Sequence, residues 1–177
     1  MSFTGYQNLL DKISEKFVEV KMQYPQEFNC KATCHSCCKP DLTVSAIEKD
    51  FIFDYLEKNP EKLVLLRALE KINPHKSKRC AFLAADGICN IYEARPVMCR
   101  ANGMPLQFKD PEAKKEEGAM RFREVCELNF KTLDIAGLPT EDILNLDTIH
   151  ALLAMLNRQK YGKKLERFRL QLAEILA

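Results

Sequence analysis

No stretch of the 177-residue chain approaches the roughly 18 uninterrupted apolar residues of a membrane span, so no spanning helix is expected. Residues Met1 to Leu10 lack the basic start, continuous apolar run and small-residue cleavage site of a secretory signal, and the expected location is the cytoplasm. Long blocks of like charge are also missing. The 27 basic residues are nearly matched by 25 acidic ones, for a formal charge of +2. That balance gives no reason to expect nucleic acid or an anionic membrane as a partner. There is no Gly-x-Gly-x-x-Gly fingerprint, phosphate loop, Gly-x-Ser-x-Gly elbow or His-Glu-x-x-His motif, which weighs against an enzyme of those classes. A catalyst working through a bound cluster needs none of them. With no internal repeat or low-complexity linker, a single domain over residues 1–177 is expected, and 46% hydrophobic residues suffice for its core.

Eight cysteines are what the chain does have. Cys30, Cys34, Cys37 and Cys38 crowd into nine residues, and Cys80, Cys89, Cys99 and Cys126 follow as isolated thiols. A crowded set with dispersed partners is how a chain encloses a metal ion or an iron-sulfur cluster in thiolate sulfur. In a reducing compartment, clustered thiols are more often ligands or redox groups than disulfides. A four-disulfide framework is the competing reading, and adjacent Cys37 and Cys38 fit it poorly.

The expected fold is mainly α: a small helical domain whose irregular, cysteine-rich middle segment, with at most a few short strands, is organised around a metal site. Leu9, Leu10, Ile13, Phe17 and Val20 recur on one helix face, and Pro25 marks the end of that helix. Ser45 followed by Glu48 is a capping-box signature opening a helix with Ile47, Phe51, Tyr55 and Leu56 on one side. Asn59-Pro60 starts another, with Leu65, Leu66, Leu69 and Ile72 inward and Asn73-Pro74 as its stop, and the two helices should form a hairpin. Between about residues 75 and 125, turn signals at Asp86-Gly87, Arg95-Pro96, Gly103, Pro105 and Pro111 break any long element. Short strands are admissible at Ala81 to Leu83, Ile88 to Tyr92 and Met104 to Phe108. Ile149, Leu152, Leu153 and Leu156 predict a further helix, Gly162 interrupts, and Leu165, Phe168, Leu172, Ile175 and Leu176 predict a last one.

On a helix, Cys30, Cys34 and one or both of Cys37 and Cys38 would share a face; on a loop, the same spacing would wrap a metal directly. Consecutive side chains diverge, so Cys37 and Cys38 are expected to ligate different centres or to bridge two ions. Sulfur ligation selects zinc or iron over magnesium and calcium. Two tetrathiolate zinc sites, a 4Fe-4S cluster with a zinc, two clusters, or one cluster with spare thiols all satisfy eight cysteines. His35 could replace one thiolate but reads more naturally as a neighbouring group, and His75 and His150 stand alone. Cys30-x3-Cys34-x2-Cys37 also matches the triad of radical S-adenosylmethionine enzymes, whose partial barrels need strand–helix alternation that this chain lacks.

The cysteine run at 30 to 38, Cys80-Ala-Phe-Leu, and the stretch from Asp86-Gly87-Ile88-Cys89 through Tyr92, Arg95-Pro96 and Cys99-Arg100 together resemble the YkgJ-type cysteine-cluster family of zinc- or iron-chelating proteins. The resemblance covers about residues 28 to 126, flanked by helices on both sides. It implies that Cys30, Cys34, Cys37, Cys38, Cys80, Cys89 and Cys99 are metal ligands, with Cys126 an eighth. The cysteine region is similar to that of a flagellin lysine methylase, a longer protein. Pro96 suits the first turn of a short helix that would direct Cys99, and Gly87 permits the turn that returns Cys89. Arg95 and Arg100 are candidate cofactor-binding residues, able to hydrogen-bond thiolate or cluster sulfur. Tyr92 reads as core packing.

Three classes of function follow: a metal-binding protein whose zinc or iron-sulfur cluster orders the middle segment, a cluster-dependent redox or methylase-like enzyme, and a metal sensor or carrier. The leaning is away from catalysis. A protein partner is admissible, as are a monomer and a homodimer packed through the apolar stripe of the last helix.

Overall fold

The apolar repeat near the amino terminus forms one continuous helix, α1 (Thr4–Gln23), in a computed structural model that describes residues 2–31, 34–39, 42–72, 79–109, 121–162 and 166–177. There follow β1 (Thr43–Ser45), α2 (Ala46–Lys58), α3 (Pro60–Ile72) and α4 (Val97–Ala101). Then come β2 (Leu106–Lys109), β3 (Arg121–Glu124), β4 (Leu144–Asn145), α5 (Leu146–Tyr161), β5 (Arg167–Arg169) and α6 (Leu172–Leu176). The fold is mainly α with a few short strands. No helix among the described residues is long and apolar enough to cross a membrane. Two compact units are present. The first gathers Met1–Phe3, Lys31–Cys99 and Leu156–Ala177, and the second Thr4–Cys30 and Arg100–Met155, so the chain passes between them after Phe3, after Cys30, within α4 and within α5.

In the first unit, α2 and α3 are consecutive, mutually packed helices that share one apolar core. Val44, Ile52, Leu56, Leu66, Phe82, Ile91, Ala94, Leu170, Leu172 and Ile175 are buried together, and Cys80, Cys89 and Cys99 pack against them. The predicted capping box forms. Glu48 accepts from the Ser45 amide (2.7 Å) and the Ser45 hydroxyl (2.8 Å), and Ser45 in turn caps the N3 amide. Pro60 stands at the start of α3, where its missing N–H costs nothing. Leu66 is buried as expected, but Leu65 is 46% exposed. The stop at Asn73-Pro74, like His75, lies outside the described residues.

The predicted last helix is only half right. Leu165 is outside the described residues, and Arg167-Phe168-Arg169 is the strand β5, antiparallel to β1 with Val44 opposite Phe168; only Leu172–Leu176 is helical. Alternation of Arg, Phe and Arg is a two-residue period, which the wider apolar spacing concealed. After α5, Gly162 adopts a φ of +85° and its amide caps the Arg158 carbonyl (2.8 Å), as a helix-ending glycine does.

In the second unit, α1 buries Tyr6, Leu9, Leu10, Ile13 and Val20. Pro25 opens a short 3-10 turn, Pro25–Glu27, in place of further α-helix. A three-stranded sheet runs in the order β3-β2-β4, with β2 antiparallel to β3 and parallel to β4. Of the three short strands admitted by the sequence, the one near Met104 to Phe108 is β2, Leu83 makes only an isolated bridge to Cys89, and Ile88 to Tyr92 forms turns.

Glu27 ties the turn after α1 to the segment around Phe130. Its carboxylate accepts from the Thr132 hydroxyl, the Thr132 amide (3.1 Å) and the Leu133 amide (3.4 Å), and its carbonyl accepts from the amide of Phe130, a residue at φ +49°. The Thr132 hydroxyl contributes most to holding this carboxyl below its ordinary 4.5. A depressed carboxyl stabilises the fold above the unfolded value and loses that contribution as pH falls through the folded value. The urea midpoint should therefore decline as pH drops below about 4.5, and less steeply in Glu27→Gln. Equal slopes in the two proteins would refute the assignment.

Candidate metal centre

Six of the eight cysteines line one cavity of the first unit: Cys34, Cys37, Cys38, Cys80, Cys89 and Cys99. They arrive on three pieces of chain. The 34–38 segment is a loop, not a helix, turned by the Cys38 amide on the His35 carbonyl (2.9 Å) and joined to the next piece by the Cys80 amide on the Cys38 carbonyl (3.2 Å). Cys80 and Cys89 stand at the two ends of a tight reversal. The Asp86 side chain accepts from the Ile88 amide (2.9 Å), Gly87 takes φ +85°, and the Ala84 amide closes on the Ile88 carbonyl (2.8 Å). Buried Phe82 anchors the reversal to the core while its carbonyl receives the Asn90 amide (2.8 Å).

Cys99 comes from α4, directly after Pro96 as the sequence suggests. The start of α4 is held from elsewhere: the Val97 amide donates to Glu48 (3.1 Å), whose other carboxylate oxygen makes the capping box of α2. One buried side chain thus sets both the start of α2 and the helix that carries Cys99. The capping signature located Glu48 but could not reveal its second partner, 49 residues away. The apolar walls, Leu42, Phe82, Leu83, Ile91 and Leu170, were likewise invisible as cavity residues. Leu42 and Leu170 meet through the Leu170 amide on the Leu42 carbonyl (2.8 Å).

The thiols sense one another. Cys37 and Cys38 face the same cavity and share a hydrogen bond, so the expected divergence of consecutive side chains does not separate them. That bond holds the Cys37 proton in place and lowers the Cys38 thiol. Burial pushes up Cys99, Cys80 and Cys89, and the neighbouring thiols Cys80 and Cys89 push Cys99 further. Arg95 lines the cavity and its charge acts in the opposite direction on Cys37, Cys89 and Cys99. Its guanidinium lies 3.7 Å from the ring centre of Tyr92 and its Nε donates to the Tyr92 carbonyl (3.1 Å). Tyr92 is therefore a cavity-mouth residue, 53% exposed, and not a core residue as its pattern suggested.

Arg100 belongs to the second unit, where it donates to Ser14 Oγ (3.1 Å). Cys30 and Cys126 are in that unit too, both attached to Asn129: its side-chain amide donates to Cys30 Sγ (3.3 Å), and its backbone amide to the Cys126 carbonyl (2.9 Å). His35 Nε2 faces the Arg79 guanidinium at 2.7 Å. Guanidinium can only donate, so that nitrogen's lone pair is committed. His150 is exposed on α5.

All eight cysteines are free thiols, which removes the disulfide framework. Among the described residues, no three His, Cys, Asp or Glu side chains are drawn together closely enough to hold an ion. The chemistry of the donor set nonetheless suits a soft metal. Six sulfurs line one apolar-walled space together with the cations of Lys39 and Arg95, and among the described residues no carboxylate lines it for an oxygen-preferring ion. Zinc or iron in that space would favour the thiolate form and draw the loops inward.

No curated protein and no solved structure matches the chain. Residues 29–127 match CxxCxxCC, described as a putative zinc- or iron-chelating domain. With more than half its length inside that match, the chain belongs to the CxxCxxCC family.

Proposed function

We propose that this protein is a thiolate metalloprotein in which one centre, a zinc ion or an iron-sulfur cluster held by four thiols of the first unit, orders the irregular cysteine-rich segment. The observation that carries this reading is the convergence of six cysteines from three separate pieces of chain on a single cavity. Loops with so few backbone bonds of their own gain order from a shared ligand, and the binding free energy of such a metal adds to folding free energy. Zinc would supply a closed tetrahedral link; a cluster would add electron transfer. Exposed Cys37 and Tyr92 at the cavity mouth favour, as a second reading, a centre reachable by a redox partner or substrate.

Elemental analysis with visible spectra of protein purified without oxygen tests both. Either metal should be present at one centre or more per chain, and its removal by a strong chelator should lower the melting temperature and loosen the 34–99 segment in hydrogen exchange. Protein free of both metals, or a melt unaffected by chelation, would sink the reading. Iron with matching labile sulfide and a reversible colour change on reduction would select the cluster; zinc alone would select the structural ion.

A further inference from the structure

The cavity holds two more thiols than a tetrahedral ion or a 4Fe-4S cluster requires, and the six are not equivalent. Cys80, Cys89 and Cys99 pack against the hydrophobic core, and Cys38 is joined to Cys80 through the backbone. Cys37 is exposed within the turn that the Cys38 amide closes on the His35 carbonyl, and Cys34 stands three residues before it. A Cys-x-x-Cys turn is a natural two-sulfur bite for a soft ion.

We infer that the six thiols divide into an inner set, Cys38, Cys80, Cys89 and Cys99, that closes one centre, and a rim pair, Cys34 and Cys37, that takes a second thiophilic cation reversibly from solvent. This rests on the thiolate-metal reading above. The rim ion has only two sulfurs from this unit, because Arg79 occupies His35 Nε2, so water or an incoming ligand completes its shell. Two-sulfur ligation holds zinc more weakly than four, and the rim site exchanges while the inner site does not. Cys37 and Cys38 line the same cavity, so the rim pair adjoins the inner set. Each ligating thiol releases its proton to solvent, with no change in oxidation state.

The test is a zinc titration of the full chain under reducing, oxygen-free conditions, read by native mass spectrometry and competition with a chromophoric chelator. Two ions should load, the second at least about tenfold more weakly. Cys34→Ser/Cys37→Ser should keep the first ion and lose the second, while Cys30→Ser/Cys126→Ser should keep both. Should the rim variant fold poorly, alkylation of wild-type protein carrying one ion provides the same answer: Cys34 and Cys37 should label while the inner four stay protected. The division is overturned by a wild type that stops at one ion in excess zinc, by a rim variant that still holds two or holds none, by loss of the second ion in the Cys30/Cys126 variant, or by protected Cys34 and Cys37. A wild type that binds no metal at all defeats the underlying reading itself.

Discussion

Glu48→Ala should lower the stability of the first unit by about 3 kcal/mol and weaken metal retention in the same protein, although residue 48 touches no thiol. The side chain is buried and its carboxylate serves three donors: the Ser45 amide, the Ser45 hydroxyl and the Val97 amide. Hydrogen bonds to a charged acceptor contribute about 1.5–3 kcal/mol each, and truncation leaves two buried amides without a partner. Alanine's better helix propensity offsets only about half a kcal/mol. The distinctive part of the prediction is the second readout. Since Val97 stands two residues before Cys99, releasing its amide frees the one helix that aims a cavity thiol. Urea unfolding measures the first effect, and the rate of zinc transfer to a competing chelator the second. Glu48→Gln, which keeps an acceptor but not the charge, should fall between wild type and alanine in both. A loss below about 1 kcal/mol, or unchanged metal release, would show that the bridge from α2 to α4 does not matter.

Asn129→Ala should cost a comparable amount, about 3 kcal/mol, in the second unit. Asn129 is buried and its side chain satisfies three neighbours. Its oxygen accepts from the Asn29 amide (2.9 Å), and its nitrogen donates to the Gly103 carbonyl (2.7 Å) and to Cys30 Sγ (3.3 Å). Nothing can slide in to replace it. Gly103 has φ +100°, where only glycine is comfortable, and a β-carbon there would lie 3.2 Å from Cys30 Sγ and 3.3 Å from the Asn129 amide nitrogen. Removing the amide therefore leaves a small polar void between segments a hundred residues apart. Urea titration of the variant should show the loss, and Cys30 should alkylate faster once its donor is gone. An unchanged midpoint with unchanged Cys30 labelling would refute the role. If both effects appear while the zinc content of the first-unit cavity stays at its wild-type value, Cys30 stands apart from the metal chemistry.

Local order was readable wherever one stretch of chain held the whole signal. The amphipathic face from Leu9 to Val20, the Ser45/Glu48 box, the start at Pro60, the turn at Gly87 and the helix after Pro96 all depend on residues within a turn or two of each other. Where a signal was misread, a tertiary partner had intervened. Phe168 lies in a strand because β1 offers it an edge to pair with. Tyr92 is exposed at the cavity mouth, with Arg95 stacked on its ring.

The same division applies to the metal chemistry. Eight cysteines at these spacings, with no oxygen-rich alternative, determined by themselves that soft-metal ligation is the reading to pursue, since ligand type depends on residue identity and not on conformation. How the eight are distributed was decided only in three dimensions. Six cysteines line one cavity of the first unit, and Cys30 and Cys126 lie with Asn129 in the second unit. Arg95 and Arg100 look alike in sequence, yet Arg95 lines the thiol cavity and Arg100 donates to Ser14 within the second unit. Counting thiols requires only the chain; grouping them requires the long-range contacts, Glu48 to Val97 and Asn129 to Asn29, that no local pattern encodes.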